Sequence, residues 1–227
     1  GNLIFRYVEI VGGGDDGNPS GANDLIYCLG GAANITLQYS YLHASGRTLI
    51  LSRGCHNWLV EYTYILRHES VAAEHSEMWS IGTSSNVTFR YNIMQECEGT
   101  ACIAALDSPT GPSGWQIYGN VFYLTAVGNG IITTDSGSTW TNSQVYNNTF
   151  IGGTGIQCGI TPSGSGWTVT NNIWYNCTAN SLAISGTHNY NYFSDNTPNE
   201  PSETNGQYTS GNPFVNLAGL DFRLVRA

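Results

Sequence analysis

The stretch NVTFRYNIM, residues 86–94, decides the fold, because variants of it recur along the whole chain. Apolar and polar residues alternate within it, and this period of two is typical of β-strands. The related segments are NLIFRYVEI from Asn2, NITLQYSYL from Asn34, NWLVEYTYI from Asn57, GWQIYGNVF from Gly114, NSQVYNNTF from Asn142, GWTVTNNIW from Gly166 and the degenerate THNYNYF from Thr187. One motif that repeats in one register indicates a solenoid.

A second apolar strand follows each motif. These strands are Leu25–Leu29, Leu49–Ser52, Glu77–Ile81, Ala101–Leu106, Ile131–Thr134, Ile156–Ile160 and Leu182–Ile184. The repeat varies between 20 and 32 residues, as expected when coils carry different insertions. We therefore predict an all-β, right-handed parallel β-helix of about eight coils. An antiparallel β-sandwich would not explain the constant register.

Asparagine marks a bend inside the later repeats, at Asn92, Asn120, Asn148 and Asn172. Asparagine tolerates left-handed backbone and can hydrogen-bond within its own turn. Stacked coils should place these four amides in one internal ladder. We predict a single domain over residues 1–227, in which the last ~35 residues form an irregular C-terminal cap.

Composition narrows the class of protein. Of the 227 residues only 10% are charged, against roughly 25% in an ordinary domain. The net charge of −9 is the opposite of what a nucleic-acid binder needs. No apolar run approaches the roughly 20 residues of a membrane span. No signal peptide is visible at Gly1, and we expect a leader that was removed or is not included.

The six cysteines include no CxxC pair, which argues against a thiolate zinc site. Cys97 and Cys102 are close enough in sequence to form a disulfide across one turn, or to remain thiols. Cys28, Cys55, Cys158 and Cys177 are interpreted as small buried apolar residues.

The motif N-x-T-h-x-Y-N-x-h (h, hydrophobic), the asparagine ladder and the closing GNPFVNLAGLDFRL, residues 211–224, resemble the pectate-lyase-like superfamily of parallel β-helix proteins. The resemblance covers nearly the whole chain and implies the fold. That superfamily contains lyases, glycoside hydrolases, phage tailspikes and adhesins. Its lyases commonly use an arginine or lysine base with acid-bound calcium, and this chain has no lysine.

Two long insertions predict a cleft. Gly12–Asp24 in the first coil and Arg67–Glu77 in the third share one position in the repeat, whereas His43–Arg47 in the second coil is short. Coils stack about 4.8 Å apart, so two ridges should flank a low step roughly 10 Å wide. Much of the ionisable content of this charge-poor chain falls here.

Candidate catalytic residues in the cleft are Glu77, His75, Glu74, Glu69 and Arg67. If Met78 and Ser80 point inward, Glu77 and Trp79 share the outer face. Glu77 would then be the proton-transfer residue, with His75 as the second choice, and Trp79 would support a sugar ring. The alternative is that a loop covers Trp79 and that Glu77 pairs with Arg47 or Arg67.

Candidate substrate-binding residues are Trp79, His43, Arg47 and His68. No cofactor is required by this reading, although Asp15 and Asp16 could ligate calcium, which prefers several oxygen ligands. The DDGN sequence around them is also typical of an ordinary turn.

Glu61 and Arg90 occupy one outward column on adjacent coils, with Gln38 before them and Tyr118 and Tyr146 after. This column is interpreted either as a cross-strand ion pair or as a polysaccharide-binding strip.

These observations predict a secreted, extracellular or periplasmic, carbohydrate-active protein. Its partner would be a polysaccharide or other glycan, cleaved by a lyase or glycoside hydrolase mechanism between the loops of coils one to three. The competing hypothesis is a non-catalytic, carbohydrate-binding adhesin or tailspike-like β-helix.

Overall fold

A computed structural model describes residues 1–12, 24–68, 77–97, 101–106, 110–123, 130–135, 137–153, 156–177, 182–195 and 200–225. The chain winds as a right-handed parallel β-helix, and each coil adds one strand to each of up to three sheets. Neighbouring strands within these three sheets run parallel. The predicted fold class is confirmed.

The first sheet has eight strands: β1 Leu3–Arg6, β4 Ala33–Gln38, β7 His56–Glu61, β10 Val87–Arg90, β13 Gln116–Tyr118, β16 Gln144–Tyr146, β19 Thr168–Thr170 and β21 Thr187–Asn189. The second sheet has nine: β2 Glu9–Val11, β5 Tyr41–Ser45, β8 Tyr64–His68, β11 Ile93–Cys97, β14 Val121–Tyr123, β17 Thr149–Ile151, β20 Ile173–Tyr175, β22 Tyr192–Ser194 and β23 Gln207–Thr209.

The third sheet has six: β3 Ile26–Leu29, β6 Ile50–Arg53, β9 Glu77–Ile81, β12 Ala101–Ala105, β15 Ile132–Thr134 and β18 Ile160–Thr161. Among the described residues, six coils therefore contribute a strand to all three sheets, and the last two repeats contribute strands to the first and second, with one isolated bridge from Ile184 to Ile160 of the third. The predicted count of about eight was too high for complete coils.

An antiparallel hairpin, β24 Phe214–Asn216 and β25 Asp221–Leu224, follows the last coil, with a 3-10 turn at Leu217–Gly219 between its strands. Phe214 is buried against Tyr175, and Phe222 packs near Tyr123. The hairpin therefore covers the outer face of the second sheet near the C-terminal coils.

The interior contains two aromatic columns packed among aliphatic residues. One column contains Trp58, Trp79, Trp115, Trp140 and Trp167, with successive ring centroids 4.9–5.4 Å apart in edge-on contacts. Another contains Phe89, Phe122, Phe150, Trp174 and Phe193, with centroids 4.7–6.3 Å apart. The predicted core positions Phe89, Phe122, Phe150 and Trp174 are fully buried.

The buried asparagines lie in one line, as the repeat predicts. The backbone N–H and the side-chain amide of Asn92 both donate to Asn120 Oδ1, and the same pair of bonds links each asparagine to the next. The line continues through Asn191 to Glu203, whose carboxylate accepts from the Asn191 backbone and side chain at 3.0 and 2.7 Å. These bonds satisfy buried polar groups that water cannot reach.

All six cysteines form disulfides: Cys28–Cys55, Cys97–Cys102 and Cys158–Cys177. The hypothesised Cys97–Cys102 bond is present. The interpretation of the other four as unpaired apolar residues was wrong, because stacking brings cysteines on successive coils to bonding distance.

Replacing Phe122 with alanine should lower the free energy of unfolding by about 3–5 kcal/mol, because the change removes buried surface and leaves a cavity. Denaturant unfolding measures this change. The exposed Gln116→Ala on the first sheet serves as a control and should shift stability by no more than about 0.5 kcal/mol. A loss below about 1 kcal/mol for Phe122→Ala would contradict the interior position.

Replacing Asn120 with alanine should cost about 2–4 kcal/mol, because it leaves buried donors and acceptors of neighbouring coils unsatisfied. Asn142→Gly is the matched control, since Asn142 is exposed and already has φ of 50°. If both variants unfold at the same denaturant concentration, the ladder does not stabilise the helix.

Candidate functional site

Four exposed tyrosines form a row on the bend between the first and second sheets. Tyr7, Tyr39, Tyr62 and Tyr91 stack with centroids 5.0–5.3 Å apart and interplanar angles of 2–26°. Their exposed fractions are 78%, 46%, 47% and 45%. Because ring faces cover one another, the ring edges and hydroxyls face solvent. We call these four residues the tyrosine row.

Each tyrosine of the row has a left-handed backbone, with φ between 50° and 56°. For residues other than glycine this conformation costs roughly 1–2 kcal/mol, and asparagine tolerates it best. The same bend in the next three coils is occupied by Gly119, Asn147 and Asn171. The fold therefore accepts low-cost residues at this position, and the tyrosines require an explanation beyond folding.

An open groove of about 570 Å³ runs beside the tyrosine row on coils one to three. Tyr7, Tyr39 and Tyr62 form one wall. Glu9, Tyr41 and Tyr64, aligned in register on β2, β5 and β8, form the other. Val8 and Ser40 at the bend complete the lining. The groove is thus aromatic and hydroxylated, and it lies parallel to the helix axis.

The second-sheet wall carries an imidazole–carboxylate pair. His43 Nε2 lies 3.0 Å from Glu9 Oε1, and the His43 ring stacks on Tyr41 with centroids 4.1 Å apart. Glu9 is 65% exposed and His43 only 13%. The Tyr64 hydroxyl donates to Gln95 Oε1 at 2.6 Å, and partial burial raises the pKa of Tyr64. This wall is fixed by contacts between coils.

A chain of hydrogen bonds links side chains of the first sheet at the positions that directly precede the tyrosine row. Arg90 donates to Glu61 Oε2 at 2.6 Å and to the Tyr118 hydroxyl at 2.8 Å, and both bonds raise the pKa of Arg90. Gln38 bonds the other Glu61 oxygen and accepts from Arg6. The predicted cross-strand ion pair is confirmed, and it neutralises the Glu61 carboxylate.

The strands that precede the two long insertions belong to the second sheet. Val11 on β2, His43 on β5 and Leu66 on β8 align, and β8 continues two residues further to His68. Glu69, Glu74 and His75 lie outside the described residues, as do Asp15 and Asp16 with the predicted calcium site. Arg67 and His68 belong to β8.

The expected exposed pair of Glu77 and Trp79 is wrong. Trp79 is fully buried, its indole N–H donates to Ser52 Oγ at 2.9 Å, and its ring lies between Trp58 and Trp115. Glu77 is only 1% exposed. Met78 and Trp79 both belong to the core, so strict alternation breaks at this point in β9. Trp79 cannot support a sugar ring.

Of the other candidates, His43 contributes to the groove wall through Glu9 and Tyr41. Arg47 lies near Asp24, with 3.6 Å between Nη1 and Oδ2, and is 39% exposed. The tyrosine row was missed as a site, although its residues mark the repeat. The usable signal was the change from tyrosine to glycine and asparagine after the fourth coil.

No group of three or more His, Cys, Asp or Glu side chains that could hold a metal ion occurs in the described part of the chain. Within the same residues, no helix is long and apolar enough to cross a membrane.

Comparison with known proteins places the fold in a family. The family model described as "Right handed beta helix region" matches residues 24–198. The chain belongs to this family. No curated protein matches the sequence of this right-handed β-helix.

Among solved structures, the β-helix is similar to a mutant tailspike protein of E. coli bacteriophage HK620 in complex with a pentasaccharide, with 11% identity and a TM-score of 0.43. The match covers 93% of this chain and 49% of the tailspike chain, so this chain spans about half the length of that protein.

Tyr62→Asn should change the stability of the β-helix by an amount between a gain of about 1 kcal/mol and a loss of about 2 kcal/mol. Asparagine tolerates the left-handed backbone, so the change removes a conformational cost of roughly 1–2 kcal/mol. The two lost ring-stacking contacts lower stability by about 0.5–1.5 kcal/mol each. Thermal unfolding measures the balance. A loss above about 2 kcal/mol would mean that the tyrosine row is primarily structural.

Proposed function

We propose that this β-helix binds an extended polysaccharide in the groove beside the tyrosine row. The observation that carries the proposal is the presence of four successive exposed tyrosines at a strained backbone position that the next three coils fill with glycine and asparagine. Residues held in such conformations cluster at ligand-binding and other functional sites.

The spacing of the row favours a sugar chain over a peptide. Successive rings are 5.0–5.3 Å apart, close to the length of one hexose unit in an extended chain. An extended peptide repeats every 3.3 Å or so and would lose register with the rings. The phenol hydroxyls can each donate and accept hydrogen bonds. One sugar unit per coil therefore fits the groove.

Export to an extracellular or periplasmic location is part of the proposal. Three disulfides link the six cysteines of the chain, and disulfides persist mainly in oxidising compartments. Polysaccharides of cell walls and surfaces are available in the same compartments.

Cleavage of the bound glycan is a second candidate function, favoured by the Glu9–His43 pair beside the groove. A histidine held by a carboxylate is a common general acid–base arrangement. Release of reducing ends, together with the absorbance of unsaturated products, tests this function, and His43→Gln should abolish any turnover. Activity that survives this change would exclude the pair as the proton-transfer group.

The binding function is tested with the double variant Tyr39→Asn, Tyr62→Asn and a panel of immobilised hexans and hexuronans. Affinity for the bound glycan should fall at least about tenfold, since interface aromatic residues often contribute more than 1 kcal/mol each. Tyr190→Asn is the matched control, because Tyr190 is 59% exposed with φ of 59° but lies in the last repeat.

The control should bind like the wild type, and all three proteins should remain folded by circular dichroism. The proposal fails if no polysaccharide binds, or if the double variant binds as tightly as the Tyr190→Asn protein.

A further inference from the structure

The charges around the groove define the class of glycan that fits it. Among the described residues that line the groove there is one carboxyl side chain, that of Glu9, and no arginine, lysine or histidine. The Glu9 side chain is 65% exposed, so a ligand in the groove can approach its carboxylate directly. The protein as a whole carries −9. A polyanion bound in the groove would therefore lie beside a carboxylate, on a protein whose net charge is also negative.

The described arginine side chains near this region bond other residues of the protein. Arg90 bonds Glu61 and the Tyr118 hydroxyl, and Arg6 bonds Gln38 behind the tyrosine row. Arg47 lies beside Asp24. Recognition of carboxylates usually relies on arginine forks or lysine ammonium groups aimed at the ligand. Among the described side chains that line the groove, none is of this kind.

A polyuronate carries one carboxylate on every sugar unit. With one unit per coil, several carboxylates would lie along the tyrosine row without a cation opposite them, and one would approach Glu9. An uncharged sugar instead presents hydroxyls that can exchange hydrogen bonds with the phenol hydroxyls of the tyrosine row. The groove matches the second chemistry.

We propose that the glycan bound in this groove is an uncharged hexose polymer and not a polyuronate. The proposal rests on the glycan-binding function above and adds the substrate class. It differs from the polyuronate preference that a resemblance to pectate lyases would suggest.

The test uses a panel of uncharged hexans and of hexuronans. The hexans are β-1,4-glucan, β-1,4-mannan and β-1,4-galactan, each with a free C6 alcohol on its internal units, and the hexuronans are polygalacturonate and alginate. The tightest binder that also depends on Tyr39 and Tyr62 should be a hexan. Oxidation of its primary alcohols to carboxylates should lower its affinity at least about tenfold, because like charges at an interface are unfavourable.

The affinity ratio of the native to the oxidised polymer should depend on Glu9. Glu9→Gln should narrow this ratio by about two- to fivefold, the range expected for an exposed charge pair, and added salt should narrow it too. Asp221→Asn makes the same change in net charge on the C-terminal hairpin and should leave the ratio unchanged. An equal effect of both variants would mean that only net charge matters and would overturn the role of Glu9.

The outcomes separate the two proposals. A hexuronan that binds most tightly and loses affinity in the Tyr39→Asn, Tyr62→Asn protein would overturn the uncharged-ligand proposal while supporting the groove. If the bound polysaccharide has the same affinity for the double variant as for the wild type, or if no polysaccharide of the panel binds, the proposal that the groove binds a glycan is wrong.

Discussion

The structure depends on one constraint, the stacking of each residue on its equivalent in the next coil at about the 4.8 Å spacing of paired strands. An inward side chain must therefore pack against whatever the neighbouring coil offers at its height. The asparagine ladder and the stack of Phe122 on Phe150 do so with equivalent residues, whereas Trp79 on the third sheet packs against Trp115, which directly precedes a strand of the first sheet. The same spacing brings Cys28 to Cys55 on the next coil.

The bend between the first and second sheets shows how one backbone geometry serves two purposes. Its inner residue, as at Asn120, forms the buried ladder, and the residue just before it takes the left-handed conformation. That exposed position is open to sequence change because the fold asks only for a positive φ. In coils one to four it holds tyrosine, and the groove beside this row follows from the bend.

Much of the fold could be predicted because the spacing of apolar residues gives both the period of the repeat and the register of its strands. The Cys28–Cys55 separation of 27 residues is also about one coil, so this bond was predictable in principle. The orientation of Trp79 was not, because Met78 and Trp79 both enter the core and alternation says nothing about where it breaks. The site prediction followed charge, whereas the groove is built mainly from neutral aromatic residues.

An uncharged ligand would also limit the chemistry of any cleavage. β-Elimination needs a C5 proton made acidic by the neighbouring carboxylate, and a hexan has no such group. Cleavage of a hexan must therefore proceed by hydrolysis, which normally requires two carboxyl groups flanking the bond. The described groove wall offers Glu9 with His43 as its partner. Hydrolysis in this groove would therefore need a second acid beside Glu9, and no other carboxyl group lines the groove among the described residues.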